Sequence, residues 1–252
     1  MKAKAEKGIL LFVSFIWTGF VVKAQLPTNN IEFGMGLGAY VYQGDLTPKA
    51  IGSFRTMKPG IHLFLNKIVS FGLSYRLNIV LSELKGDESK YSVPEYRQRR
   101  NFNFRTPLFE LSGLGVWNIK GNNYNTAKGI LSPYAFGGAG LSFLNIKPDW
   151  SNMNTEIFTA ESEVQFGLNT DMQKKLPKVL PFIPVGLGVR YEISNRFSMT
   201  TESTYRFVFT DYLDGVSYSA NPKKDDHYLS QTVGLIYKLG KKKTLDCPKV
   251  KY

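Results

Sequence analysis

Apolar residues recur at every second position in this chain, over runs longer than a soluble strand needs, and this pattern restricts the fold more than any other feature. Between 31 and 42 the odd positions are Ile31, Phe33, Met35, Leu37, Ala39 and Val41, and the even ones are Glu32, Gly34, Gly36, Gly38, Tyr40 and Tyr42. The alternation returns as Val69, Phe71, Leu73, Tyr75, Leu77, Ile79 and Leu81 against Ser70, Gly72, Ser74, Arg76, Asn78, Val80 and Ser82. A third run sets Ile183, Val185, Leu187, Val189, Tyr191 and Ile193 against Pro184, Gly186, Gly188, Arg190 and Glu192. Successive side chains of a strand point to opposite faces, so each run has one continuous apolar face. Soluble strands average about 5–6 residues, and an apolar face twice that long is matched by lipid.

Eight such segments are expected, at 31–43, 58–67, 68–83, 102–118, 131–146, 181–194, 196–210 and 227–239. An even number closes an up-and-down barrel with both chain ends on one side. Joins are short at Asn66-Lys67 and Ser194-Asn195-Arg196 and medium from Lys120 to Ile130, whereas 44–57, 84–101, 147–180 and 211–226 are long and polar. The fold class is therefore all-β: an eight-stranded antiparallel transmembrane outer-membrane β-barrel with long extracellular loops and a basic periplasmic C-terminal tail. Leu108, Leu114 and Val116 break strict alternation and leave the outward face of segment 102–118 ambiguous.

The start of the chain reads as an export signal. Lys2, Lys4 and Lys7 precede an apolar stretch from Gly8 to Val22, and Val22-Lys23-Ala24 ends on a small residue before Gln25. The apolar stretch of about 15 residues is shorter than the ~20 of a spanning helix. The expected organisation is a signal peptide at 1–24, the barrel at 25–239 and a basic periplasmic tail at 240–252. One Cys among 252 residues excludes a disulfide-stapled mini-domain and a CxxC zinc site, and two His leave little for a His-rich metal centre.

Residues out of phase with the lipid stripe face the lumen: Arg76, Glu110, Arg190, Glu192, Glu202 and Arg206, three cations and three anions. Eight strands enclose a space just wide enough for side chains, so these groups are expected to neutralise one another in a plugged core. Tyr40 and Tyr42 at the outer end of the first strand, Trp117 near the inner end of the fourth, and Tyr205, Phe207 and Phe209 along the seventh are expected in interfacial aromatic girdles.

No cofactor, metal or small-molecule substrate is expected. His227, Ser230, Asp225 and Asp226 are the residue types of a hydrolase, but His227 and Ser230 have opposite parity on a strand and point apart, and His62 falls on the lumen side. Asp211, Asp214, Asp225, Asp226, Glu83, Asp87 and Glu88 suit Ca²⁺ by type, yet no EF-hand spacing joins them, so they are expected to solvate loops. No recognition fold for nucleic acid is present. Lys85, Lys90, Arg97, Arg99 and Arg100 in loop 84–101 suit lipopolysaccharide phosphates, which keeps a structural or lipopolysaccharide-binding barrel open as an alternative.

Five blocks, in order, resemble the PorG-like outer-membrane barrels associated with the type IX secretion system. Tyr42-Gln43-Gly44-Asp45-Leu46-Thr47-Pro48 is similar to that family's Y-x-G-D-L-x-P, and Arg100 to Leu111 (RNFNFRTPLFEL) to its R-N-L-S-F-R-S-P segment. Ser132-Pro133-Tyr134-Ala135-Phe136-Gly137-Gly138-Ala139-Gly140 resembles its S-P-Y-x-F-x-G-x-G strand. Phe209-Thr210-Asp211-Tyr212-Leu213-Asp214-Gly215-Val216-Ser217 resembles its T-F-T-D-Y-L-D-D-V-S loop entry, with Gly215 where Asp is usual, and Asp246-Cys247-Pro248-Lys249 its D-C-P tail. The resemblance implies a non-enzymatic subunit tying a periplasmic ring of a PorK-like lipoprotein and its PorN-like partner to the outer membrane. It also marks Gly44, Asp45, Asp211, Tyr212 and Asp214 as a motif shaping the outer rim.

The tail has its own chemistry. Lys241, Lys242 and Lys243 precede Asp246, Cys247 and Pro248, and residues 241–252 carry five Lys against one Asp. Such a segment is expected to dock on an acidic periplasmic partner, steered by its lysines, while Cys247 is a candidate for an intermolecular disulfide.

Overall fold

The structure, a computed structural model, describes residues 30–48, 52–120, 122–125, 127–221 and 225–239. Its strands are β1 (Ile31–Gln43), β2 (Lys58–Ile68), β3 (Leu73–Asp87), β4 (Asn103–Asn118), β5 (Leu131–Leu144), the three-residue β6 (Lys147–Asp149), β7 (Val179–Glu192), β8 (Phe197–Val208) and β9 (His227–Leu239). Two helices lie in the loops, α1 (Tyr96–Arg100) and α2 (Glu163–Gln173). The eight long strands form one antiparallel ring, β1-β2-β3-β4-β5-β7-β8-β9, which closes where β9 meets β1 from Gln43↔His227 to Ile31↔Leu239. Closure leaves each of the eight long strands with a neighbour on both sides, the condition for burying backbone in hydrocarbon.

β6 is the outer end of β5 after a short gap. β4 pairs with β5 as far as Leu108↔Leu144 and with β6 from Arg105↔Lys147, in unchanged register. The gap faces Pro107, which has no N–H to place in a ladder. One side of the barrel carries the turns 69–72, 119–130 and 193–196, and the other the long loops 44–57, 88–102, 145–178 and 209–226; these sides are called the turn end and the loop end. Val69 and Phe71 belong to a turn and not to a strand, since the N–H groups of Val69 and Ser70 both donate to the Leu73 carbonyl. The short join expected at Asn66-Lys67 therefore lies inside β2, and β3 runs on to Asp87.

The apolar phase faces outward. Leu37, Tyr75, Leu187 and Val233 stand more than half exposed on the wall, joined by Met35, Ile61, Leu77 and Leu111. Exposed apolar side chains stand on each of the eight long strands around the ring, and such a belt is the surface a transmembrane barrel turns to lipid. Strands of 11–16 residues exceed the roughly 9–11 that cross the hydrocarbon when tilted, so their loop ends project beyond it. In β4 the ambiguity resolves by position: Leu108, Leu114 and Val116 are buried in the lumen, and Leu114 and Val116 pack on Tyr134 and Phe136 as an apolar layer near the turn end.

Glycines on the lumen face make room for rings from neighbouring strands. A Cβ on Gly34 would fall 2.0 Å from the Phe64 ring, and one on Gly188 2.4 Å from Tyr134. Tyr40 and Tyr42 occupy this inner face as well, fully buried, and not the interfacial girdle expected of them. Their even positions share parity with Glu32 and the β1 glycines, and parity overrides the aromatic preference for an interface. Trp117 stands outward at the turn end of β4, and Phe207 and Phe209 stand outward near the loop end of β8.

Candidate functional site: the filled lumen and its outer plug

Three tiers of polar side chains fill the barrel. Nearest the turn end, Arg190 forks onto Glu32, Nη1 to Oε1 at 3.1 Å and Nη2 to Oε2 at 2.6 Å, and Asn66 donates to the same carboxylate at 2.8 Å. In the same tier Glu192 accepts from Ser198 Oγ at 2.7 Å and pairs with Lys238. At mid-barrel, Arg76 Nη1 lies 2.5 Å from Glu202 Oε1, which also accepts from the Tyr134 hydroxyl at 2.6 Å, while the guanidinium sits 4.2 Å over the Phe64 ring. His62 faces Asn78 at 3.3 Å in this tier. Higher up, Arg206 Nε donates to Glu110 Oε2 at 2.9 Å and Nη1 to Ser230 Oγ at 2.8 Å, and Tyr228 donates to Glu110 Oε1 at 2.8 Å.

All six charges expected in the lumen are there, but they are not a closed set. Arg76 pairs with Glu202 and Arg206 with Glu110, whereas Arg190 takes Glu32 and Glu192 takes Lys238. Both added partners lie at strand tips, where the sequence pattern thins out, and their even numbering in β1 and β9 is the signal that places them inside. The network thus balances four anions against four cations among the described residues. A buried charge without a partner costs several kcal/mol, so a balanced set is the condition for keeping charges here at all. The hollow between Arg76, Asn118, Tyr134 and Arg190 measures about 10 Å³, room for at most one water.

The loop end is closed by the loops themselves. The Tyr42 hydroxyl reaches Asp214 Oδ2 and Asp226 Oδ1, each at 2.7 Å, and all three residues are completely buried. One O–H proton serves one of these contacts, so the other requires a proton on a carboxyl group. Burial, with neighbouring carboxylates reinforcing it, holds both Asp214 and Asp226 well above the usual carboxylate range. The remaining oxygens accept from the backbone: Asp214 Oδ1 from Val216 N–H at 3.0 Å and Asp226 Oδ2 from Leu213 N–H at 3.0 Å. Gly44 is required beside this cluster, because a Cβ there would stand 1.9 Å from Asp226 Oδ1.

Further contacts tie the four loops together. Asp45 Oδ2 accepts from Asn221 N–H at 2.8 Å. Glu88, fully buried, accepts from Arg97 Nη1 at 3.0 Å and from Arg100 Nε and Nη2 at 2.9 and 2.6 Å. Arg97 Nη1 also donates to the Asp45 carbonyl at 2.8 Å, and Arg100 Nη1 to the Ser219 carbonyl at 3.0 Å. On α2, Asp171 accepts the N–H groups of Ser217, Tyr218 and Ser219 at 3.0–3.1 Å, Ser219 Oγ at 2.8 Å and the Tyr212 hydroxyl at 3.1 Å. Asp211 lies nearby with both carboxylate oxygens sealed off and no well-formed hydrogen bond, and burial pushes it up to about 7. Gly215 turns the loop at φ +88°, in the left-handed region where glycine is unstrained.

Asp211, Asp214, Asp226 and Glu88 therefore build an internal plug, contrary to the expectation that they solvate loops, and Tyr212, Gly44 and Asp45 belong to it, whereas Asp225 is exposed and Glu83 and Asp87 pair with cations on β3 and its neighbours. Arg97 and Arg100 are spent inside it and do not form an exposed basic surface. The sequence presents Glu88 only as a loop acid and gives no signal at Asp171, since only the fold shows the amides and guanidiniums converging on them. Among the described residues no group of three or more His, Cys, Asp and Glu is placed to hold a metal ion. Ser230 is buried in the lumen on Arg206, while the His227 ring packs with Tyr205 and Phe207 at 5.6 and 5.7 Å on the outer wall. Lys241, Lys242, Lys243, Asp246, Cys247 and Pro248, with the signal segment 1–24, lie outside the described residues.

A family model matches residues 7–247. The chain belongs to the family described as Domain of unknown function (DUF6089). No curated protein matches this DUF6089 chain. Among solved structures it is similar to Neisserial surface protein A, at 12% identity and TM-score 0.46 over 83% of this chain and 97% of that one. It is similar to the outer membrane protein OprG from Pseudomonas aeruginosa, at 10% identity and TM-score 0.44 over 84% and 97%. It is also similar to Ail, the attachment invasion locus protein of Yersinia pestis, at 10% identity and TM-score 0.43 over 83% and 98%. The DUF6089 chain folds as a closed eight-stranded antiparallel β-barrel.

Proposed function

We propose that this protein is a non-enzymatic barrel of the bacterial outer membrane, with its loop end outside the cell and its turn end in the periplasm. There it anchors a ring of PorK-like lipoprotein and PorN-like partner belonging to the type IX secretion system. The observation that carries this reading is the filled lumen: among the described residues, paired charges on every tier and a plug of four stitched loops leave no passage for a solute. A barrel closed in this way acts through its surfaces. The periplasmic surface includes the segment 241–252, with five Lys, one Asp and Cys247, whose charge suits an acidic partner. The sequence blocks from Tyr42 to Pro48 and from Asp246 to Lys249 supply the link to secretion.

The test is a non-reducing pull-down of tagged protein from solubilised outer membranes, comparing wild type, Cys247→Ser and a chain ending at 240. The reading expects a periplasmic partner with wild type, held covalently only when Cys247 is present, and loss of that partner on truncation. Recovery of the barrel alone from all three chains overturns it.

A further inference from the structure

We propose that the outer wall at the loop end of β3, β4 and β6 binds one phosphorylated glycolipid of the outer leaflet, a lipid A-type molecule. The site stands apart from the secretion reading and rests on the strand register. Reading outward along this wall, Leu81, Phe109 and Phe143 form the last apolar row, with Leu81 paired to Phe109 and Phe109 to Phe143. The third row holds cations alone, Lys85↔Arg105↔Lys147, in direct cross-strand register. Three like charges opposite one another destabilise a sheet unless anions neutralise them. That neutralisation is incomplete.

Glu83 takes Lys58 at 3.2 Å and also Arg105, and Asp87 takes Lys85 at 3.4 Å. Asp149 is instead satisfied by Ser151 and Asn103, which hold its carboxyl below the usual range. Lys147 and Lys178 are both exposed, and neither has a carboxylate within 4.0 Å among the described residues. Five cations thus face three anions over a few residues.

The same place has an apolar receptacle. Where β5 breaks opposite Pro107, a shallow cleft of about 440 Å³ opens on the wall, lined by Leu81, Pro107, Phe109, Phe143, Asn145 and Lys178. Its floor belongs to the lipid-facing belt, and its rim carries the unpaired Lys178 below the cation row. An acyl chain against Phe109 and Phe143 sets its headgroup at the height of Lys85, Arg105, Lys147 and Lys178, so charge and depth select the same ligand. A soluble anion satisfies only the cations, and a neutral lipid only the cleft.

The test measures binding of diphosphoryl lipid A to full-length protein in detergent by native mass spectrometry. The chains compared are wild type, the double variant Lys147→Gln/Lys178→Gln, and Lys128→Gln on the turn end as a charge control. Both lysines are surface residues, and retention of the heat-modifiable gel mobility checks that each variant is folded. The double variant is expected to bind roughly tenfold more weakly, Lys128→Gln like wild type, and dephosphorylated lipid A weakly to all three. Equal binding by wild type and double variant overturns the site, as does an equal loss in Lys128→Gln. Competition by millimolar inorganic phosphate overturns the lipid assignment by showing that the headgroup charge alone is bound.

Discussion

The lumen pair Arg206–Glu110 gives the sharpest test of how this barrel holds its charge. Both side chains are buried to at least 95% and lie 2.9 Å apart, with Ser230 on the guanidinium and Tyr228 on the carboxylate. Removing one partner strands the other ion in the lumen, so Glu110→Leu and Arg206→Met should each cost about 3–5 kcal/mol. The double variant strands no ion. It leaves the Tyr228 and Ser230 hydroxyls short of a partner, at about 1 kcal/mol each, while an apolar pair of similar volume restores packing. Its cost should therefore be about 2 kcal/mol, well below the roughly 6–10 kcal/mol sum of the single changes. Urea unfolding in detergent micelles, followed by tryptophan fluorescence and by heat-modifiable gel mobility, measures all four corners of the cycle. Additive costs would show that the two side chains are solvated separately, and the account of the lumen as a desolvated, balanced network would fall.

Two further outcomes follow from the same geometry. Gly34→Ala puts a Cβ 2.0 Å from the Phe64 ring, so thermal unfolding should drop by an amount typical of overpacking, about 1–3 kcal/mol; adding Phe64→Leu should recover part of the loss in the same melting assay. The plug should respond to pH through its raised aspartates. Asp211, Asp214 and Asp226 bind protons more tightly in the fold than in open loops, so their contribution is full below the ordinary carboxylate range and is lost as pH rises, for Asp211 through about 7. Limited proteolysis of loop 209–226 should thus be slower at pH 5 than at pH 8, and Asp214→Asn should flatten the difference.

The barrel was legible because lipid on one side and packed side chains on the other impose the same period of two on every strand. Strand ends were less so. Val69 and Phe71 keep the period through a turn, and only the hydrogen bonds to Leu73 show where the strand stops. Tyr40 and Tyr42 illustrate a conflict of rules: residue type favours an interface, parity sends them inward, and backbone geometry prevails. In the plug, Asp171 and Glu88 gather donors from segments far apart in sequence, 46 residues for Ser217 and 12 for Arg100. No local pattern marks such a residue, since an aspartate that caps a distant loop is spelled like one that faces water. Six of the eight lumen charges were legible because the strand tells which way they point, Glu32 and Lys238 at the strand tips being the exceptions, whereas charges on loops carry no such tag.

The pairing of β9 with β1 bears on how the molecule carries load. β9 is bonded to β1 over thirteen residue pairs and to β8 over eleven. A pull applied at Leu239 along the strand acts on both ladders in shear, so the bonds share the force and must yield together. The same pull directed across the sheet would part them one at a time. A tether leaving this barrel at the end of β9 is therefore strongest along the strand axis and weakest when dragged across the sheet.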